Sequence, residues 1–297
     1  PTTLQKPFFQ LQWDGRILSY RAPANKYYDI ALYLHKEGIP FLDNAKQFEL
    51  TRLRLFQRIT PRNYQQEALD HWIQAGKRGV VTLPTGAGKT MLAMLCISKT
   101  SRPTLVHVPT IDLMQQWHGL LEQFFGVRVG RVGGGYKEWE QLTVSTYDSA
   151  LLQVEYYGNQ YGLLIFDECH HLPGDQFQYA ALASIAPFRL GLTATPERSD
   201  GKETLLYEIC GPLVFQVHID ELEGRTLAPY RVQTIEIELT TAELEEYQKL
   251  RNIFLNFIRR ERIRFDEPNG WQNFLFKSSR SIDGRVAFQA YLAQKKL

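Results

Sequence analysis

Apolar positions along this chain follow several different periods, and each period predicts a different kind of element. Phe9-Gln10-Leu11-Gln12-Trp13 alternates apolar and polar, Asp14-Gly15 is a two-residue turn signal, and Arg16–Arg21 runs back. That pattern predicts a β-hairpin. Tyr27, Ile30, Ala31 and Leu34 then repeat at helical spacing over Tyr27–Lys36, with Gly38 where the helix should stop. From Thr60 the pattern switches to short, continuously apolar runs. Those at Gly79–Leu83, Thr104–Val108, Val127–Val132, Leu142–Thr146, Leu163–Phe166, Leu190–Thr193 and Leu213–Val217 predict buried strands. Helical spacing lies between most of them, as at Thr90–Ser98 and Asp112–Phe125. Repeated β–α units of this kind predict an α/β domain with a mainly parallel sheet. After Pro229 the character changes again: Tyr230–Leu239 alternates like a strand, and Thr240 with Glu243 makes a capping-box signature. Leu244, Tyr247, Leu250, Phe254, Phe257 and Ile258 mark one stripe of a long helix to follow. The expected organisation is therefore a small α+β module over 1–58, an α/β domain over 59–228 and a helical region over 229–297.

Two short stretches carry the chemistry. Leu83-Pro84-Thr85-Gly86-Ala87-Gly88-Lys89-Thr90 lies between a predicted strand and a predicted helix, the context a phosphate-binding loop requires. Backbone N–H groups of Thr85, Gly86, Ala87 and Gly88 would converge on phosphate oxygens, aided by the helix N-terminus. Lys89 is placed to reach the β/γ-phosphates and the Thr90 hydroxyl to hold Mg²⁺. The loop departs from the common G-x-x-x-x-G-K-[ST] form, because its first position is Leu83. The second stretch, Ile165-Phe166-Asp167-Glu168-Cys169-His170, ends a strand in adjacent carboxylates. Asp167 is the candidate metal holder and Glu168 the candidate base for an attacking water. Together the two stretches predict a nucleoside triphosphatase whose catalytic residues are Lys89, Asp167 and Glu168.

Composition narrows the setting. Over 297 residues, 44% of them hydrophobic, no run approaches the length of a membrane span. Cys96, Cys169 and Cys210 show neither disulfide nor metal-ligand spacing, which fits a reducing cytoplasmic setting. The net charge of +2 hides an asymmetry. Residues 1–58 carry nine Lys and Arg against five Asp and Glu, and residues 229–297 twelve against nine, while the middle carries thirteen against eighteen. Basic flanks around an acidic core point weakly to a polyanion partner. The run Arg259, Arg260, Arg262 and Arg264 reads either as a nucleic-acid contact or as a solvated helix end suited to the C-terminal dipole.

Further segments fall in the order seen in superfamily 2 helicases, which the chain resembles. Arg62-Asn63-Tyr64-Gln65 is similar to the adenine-reading segment, with Arg62 and Gln65 at the base. Val108-Pro109-Thr110 resembles motif Ia, Val144-Ser145-Thr146-Tyr147 a later strand-contact motif, and Thr193-Ala194-Thr195 motif III, whose threonines couple nucleotide to strand binding. The strings 143–150, 186–195 and 167–173 are similar to the XPB family, a DNA helicase/translocase of nucleotide excision repair. Tyr28-Asp29-Ile30 and the segment 38–45 resemble that family's small damage-recognition domain, and the region after Pro229 its helical thumb.

The resemblance implies a RecA-like P-loop domain using ATP and Mg²⁺, with Pro109, Thr110, Ser145, Thr146, Tyr147 and Arg198 on DNA. It implies a cytoplasmic, nucleoid-associated prokaryotic protein, with no membrane role and a repair nuclease as partner by analogy. Where the family has an Arg-Glu-Asp element this chain reads Glu197-Arg198-Ser199-Asp200, so the central acid is missing. The chain ends at Leu297, where the family would begin a second RecA-like domain, so an N-terminal fragment is expected. Two alternatives remain open at this point: the translocating subunit of a restriction system, and a non-catalytic DNA-binding or partner-docking module.

Overall fold

The computed structural model describes residues 9–172, 177–195, 203–222, 239–265 and 270–294. In chain order the strands and α-helices are β1 (Gln12–Asp14), β2 (Ser19–Arg21), α1 (Tyr27–Lys36), α2 (Asn63–Gln74), β3 (Arg78–Thr82), α3 (Lys89–Thr100), β4 (Thr104–Val108), α4 (Ile111–Phe125), β5 (Gly130–Gly133), β6 (Tyr136–Lys137), β7 (Leu142–Thr146), α5 (Tyr147–Tyr157), β8 (Leu163–Asp167), α6 (Phe177–Leu182), β9 (Phe188–Thr193), α7 (Glu203–Cys210), β10 (Leu213–Gln216), α8 (Ile219–Leu222), α9 (Thr241–Arg260), α10 (Gly270–Arg280) and α11 (Ile282–Gln294). They form two compact units, Pro1–Tyr230 and Arg231–Leu297.

The first unit is organised by one sheet of order β10-β3-β9-β8-β4-β7-β5-β6. Every neighbouring pair is parallel except β5 with β6. Apolar side chains leave both faces. Val81, Val106, Ile165 and Leu192 pack with α2, α3 and α4, while Val80, Leu105, Leu164 and Phe166 pack with α5, α6 and α7. Burial on both faces explains why these strands read as continuous rather than alternating apolar runs. The sheet order puts the loop after β3 and the end of β8 on either side of β9, at the carboxyl edge where α/β sheets bind ligands.

Two local expectations change, and a third cannot be compared. The hairpin turn is the four-residue loop Gly15–Leu18, because Asp14 pairs across with Ser19. Its carboxylate accepts from Arg16 at 2.8 Å and Arg21 at 3.0 Å, so Asp14 serves as an anchor and not as a turn residue. Strand β5 begins at Gly130 instead of Val127, where the backbones approach so closely that a Cβ would stand 2.3 Å from the Glu138 carbonyl oxygen. The expected strand at 230–239 lies almost wholly outside the described residues.

The second unit has its own small core of Phe257, Ile263, Phe274 and Ala287. Its long helix α9 starts at the expected capping box, Thr240 Oγ1 accepting from Glu243 N and Glu243 Oε2 from Thr240 N. Only the later half of the apolar stripe is covered, since Leu244 is 44% exposed whereas Phe257 is buried.

Candidate active site

The loop after β3 is built by backbone conformation. Gly86 and Gly88 have φ of 81° and 83°, in the left-handed region that glycine adopts without penalty. At Gly88 a Cβ would also fall 2.4 Å from the Gln65 Nε2, so a larger residue would displace that amide. Leu83 needs no such freedom. It is fully buried in the core and its N–H donates to the Thr193 carbonyl oxygen at 3.0 Å, extending the strand, which accounts for the departure from the common loop pattern.

Lys89 opens α3, and its ammonium is buried with no hydrogen bond among the described residues. Its sole ion pair there is with Glu168 Oε1, at 3.2 Å. Thr90 follows on the same first turn and is partly exposed. Glu168 itself has φ of 49°, a left-handed conformation forced on a non-glycine residue where β8 ends. Its other oxygen lies 3.5 Å from His170 Nδ1. That same nitrogen is 3.0 Å from Thr193 Oγ1, and Thr193 Oγ1 both donates to Thr195 O and accepts from Thr195 N. The two threonines are thus tied to each other and, through His170, to the Asp-Glu pair.

Asp167 is 6% exposed. Burial pushes its carboxyl up from the ordinary aspartate range, against the pull of the Trp117 indole N–H and the Lys89 ammonium. Trp117 Nε1 donates to Asp167 Oδ2 at 2.8 Å, and Tyr147 Oη donates to the Asp167 carbonyl oxygen at 2.9 Å.

Arg62 and Gln65 stand beside the loop, but the Gln65 amide is already committed. Its Nε2 donates to the Ala87 carbonyl oxygen at 3.0 Å and its Oε1 accepts from Arg62 N at 2.9 Å. Tyr64 Oη donates to the same Ala87 oxygen at 2.8 Å. A cleft of about 310 Å³ opens here, lined by Ile59, Thr60, Arg62, Gln65, Gly86 and Met91 among others. It is large enough for a planar base next to the phosphate loop.

The expected strand-contact residues divide. Pro109 is partly exposed and Thr110 is exposed, the latter capping α4 by accepting from Leu113 N at 3.2 Å. Ser145, Thr146 and Tyr147 are 0%, 6% and 3% exposed. The Ser145 hydroxyl donates to Val132 O and Thr146 O, and Thr146 Oγ1 caps α5 by accepting from Ser149 N. The polar side-chain atoms of these three residues face the protein. The β4–β7 register sets Val108 beside Thr146, so α4 and α5 start next to each other at one edge. Arg198 lies outside the described residues. In the basic run, Arg260 is held by Asp283 at 3.0 Å, while Arg259 and Arg262 are exposed.

Trp117 and Tyr64 are site residues that pattern reading missed. Trp117 sits on the apolar stripe of an amphipathic helix and reads as core; only its single N–H, which needs a partner when buried, hinted otherwise.

Residues 58–198 match the family model described as type III restriction enzyme, res subunit. Residues 4–45 match the Xeroderma pigmentosum group B helicase damage recognition domain. The chain is 36% identical over 284 residues to a protein named DNA 3'-5' translocase XPB2 from Sulfurisphaera tokodaii, covering 95% of this chain and 64% of that protein. It is 31% identical over 231 residues to the DNA 3'-5' helicase XPB of Mycobacterium tuberculosis, covering 74% of this chain and 40% of that one. The chain therefore spans less than two thirds of the length of these relatives. Among solved structures, the Pyrococcus furiosus Hef helicase domain aligns with a TM-score of 0.47 at 19% identity, covering 68% of this chain and 46% of that one.

Proposed function

This chain is an N-terminal region of an XPB-type superfamily 2 protein, and from that premise we propose that it forms the nucleotide-binding part of an ATP-dependent DNA translocase acting in repair. The observation that carries the proposal is the buried Lys89 ammonium, without a hydrogen bond among the described residues, lying between a glycine loop and the Asp167–Glu168 pair. An ammonium in that position lacks the acceptors that phosphate oxygens would supply. The loop glycines and the base-sized cleft fit the rest of ATP.

In this reading the backbone of Thr85, Gly86, Ala87 and Gly88 cradles the phosphates, with Arg62 and Gln65 at the base. Thr90 and Asp167 would hold Mg²⁺, which would supply positive charge beside the phosphates. No group of three His, Cys, Asp or Glu side chains gathers as a metal site among the described residues. Lys89 exchanges Glu168 for phosphate, which frees Glu168 to orient and deprotonate water. Thr193 and Thr195 relay the state of that pair. Pro109, Thr110 and the backbone at Ser145–Tyr147 meet the phosphates of one DNA strand, joined by Arg198, and such contacts read no sequence. The match of residues 4–45 to a damage recognition domain supports a repair role for the 1–58 module, with a repair nuclease as partner and a cytoplasmic setting.

Titrating a fluorescent ATP analogue into the chain with Mg²⁺ present tests this. Lys89→Ala should weaken binding at least tenfold, while Glu168→Gln keeps it and abolishes DNA-stimulated hydrolysis in the complete natural polypeptide. Undiminished binding by Lys89→Ala would overturn the reading.

A further inference from the structure

Each oxygen of Asp167 accepts a hydrogen bond from a different residue. Oδ1 accepts from Glu168 N at 3.1 Å, Oδ2 from the Trp117 indole at 2.8 Å, and the carbonyl oxygen from the Tyr147 hydroxyl at 2.9 Å. Trp117 and Tyr147 are 2% and 3% exposed, and neither belongs to β8. Trp117 is on α4, seven residues or two helical turns beyond the cap at Thr110. Tyr147 is the first residue of α5. These two helices begin side by side, after the paired residues Val108 and Thr146. Apolar packing alone would be served by phenylalanine at both positions. What phenylalanine lacks in each case is the one donor that reaches Asp167.

We infer that Trp117 and Tyr147 are positioning residues that clasp Asp167 from the two helices whose N-termini form the candidate strand-binding edge, making that edge mechanically continuous with the metal-holding carboxylate. The inference rests on the functional reading above and deepens it. A charged carboxylate held by a buried N–H is fixed in rotamer and direction, and such outer partners tune metal affinity strongly. A helix is stiff over two turns, so a displacement at Thr110 is felt at the indole. A strand bound at the edge would bias Asp167, and Mg²⁺·nucleotide at Asp167 would bias the edge by the same factor, since coupling is reciprocal.

The test uses the parent chain, Trp117→Phe and Tyr147→Phe. A fluorescent ADP analogue is titrated with Mg²⁺, with and without a saturating oligo-dT strand. In Trp117→Phe the Mg²⁺ midpoint should rise about 10–100-fold, the range for losing an outer partner of a metal ligand. Metal-free nucleotide affinity should stay unchanged. Tyr147→Phe, which removes one oxygen and keeps the ring, should move the midpoint in the same direction. Both should shrink the shift that oligo-dT causes in the parent. The indole resonance lost in Trp117→Phe should also move when Mg²⁺ is added to the nucleotide-bound parent, a change that packing alone would not produce. A parent chain that shows no Mg²⁺-dependent nucleotide binding overturns the functional reading itself. A parent that binds, with midpoints unmoved in both variants or a parental midpoint indifferent to oligo-dT, overturns the clasp and leaves that reading standing.

Discussion

His107 stands on β4 with both ring nitrogens buried and no hydrogen-bond partner among the described residues, stacked 4.9 Å from the Phe166 ring at 12°. Burial, with Arg189 adding to it, takes its pKa from 6.5 down to about 3. The native imidazole therefore stays neutral while an unfolded chain takes up a proton below about pH 6.5. Stability is intact above that value and falls as pH drops toward 3, by about 1.4 kcal/mol per unit. His107→Phe keeps the stack and removes the titration. Its melting temperature should exceed the parent's by a margin that widens between pH 7.5 and pH 5; a constant margin would show that the ring is not the acid-sensitive group. At this scale Lys89, Asp167 and Glu168 were legible because a short motif names them. His107, Trp117 and the committed amide of Gln65 were not, because their partners are brought to them from 22 to 59 residues away by the sheet order alone.

Helix α4 shows how one element can hold two roles at once. Thr110 caps it through Leu113 N and is also the exposed residue at the candidate strand edge. Thr110→Ala should lose about 1 kcal/mol of stability with the cap, and should weaken oligo-dT binding as well. Thr110→Ser keeps the capping oxygen and should restore both, so thermal melts and a DNA titration on the two variants separate cap from contact. If the Ala variant binds DNA normally, the strand contact at this residue is gone and only the cap remains. Most elements were readable within a residue or two because strands buried on both faces announce themselves as unbroken apolar runs. The failures have local causes: two arginines hold Asp14 in the ladder, and a close backbone approach delays β5 until Gly130.

At the level of the whole chain, the two compact units have separate cores, and Phe274 lies at the centre of the second, in edge contact with Phe254 at 5.4 Å and Phe257 at 6.2 Å. Phe274→Ala should cost that unit about 3–5 kcal/mol. Calorimetry should show one transition lowered and the transition of the sheet-bearing unit in place; a uniform drop would mean that the two unfold together. The three-part division expected from composition changes places its first boundary near residue 58, which lies inside the first compact unit. The hydrogen bonds at Ala87 carry a last consequence. Gln65 and Tyr64 both donate to that carbonyl oxygen, so the loop after β3 is tied to the segment expected to read the base. On the proposed reading, recognition of a base is an exchange in which the Gln65 amide leaves the Ala87 oxygen for the base edge, so inorganic triphosphate, which has no such edge, should bind without moving the amide.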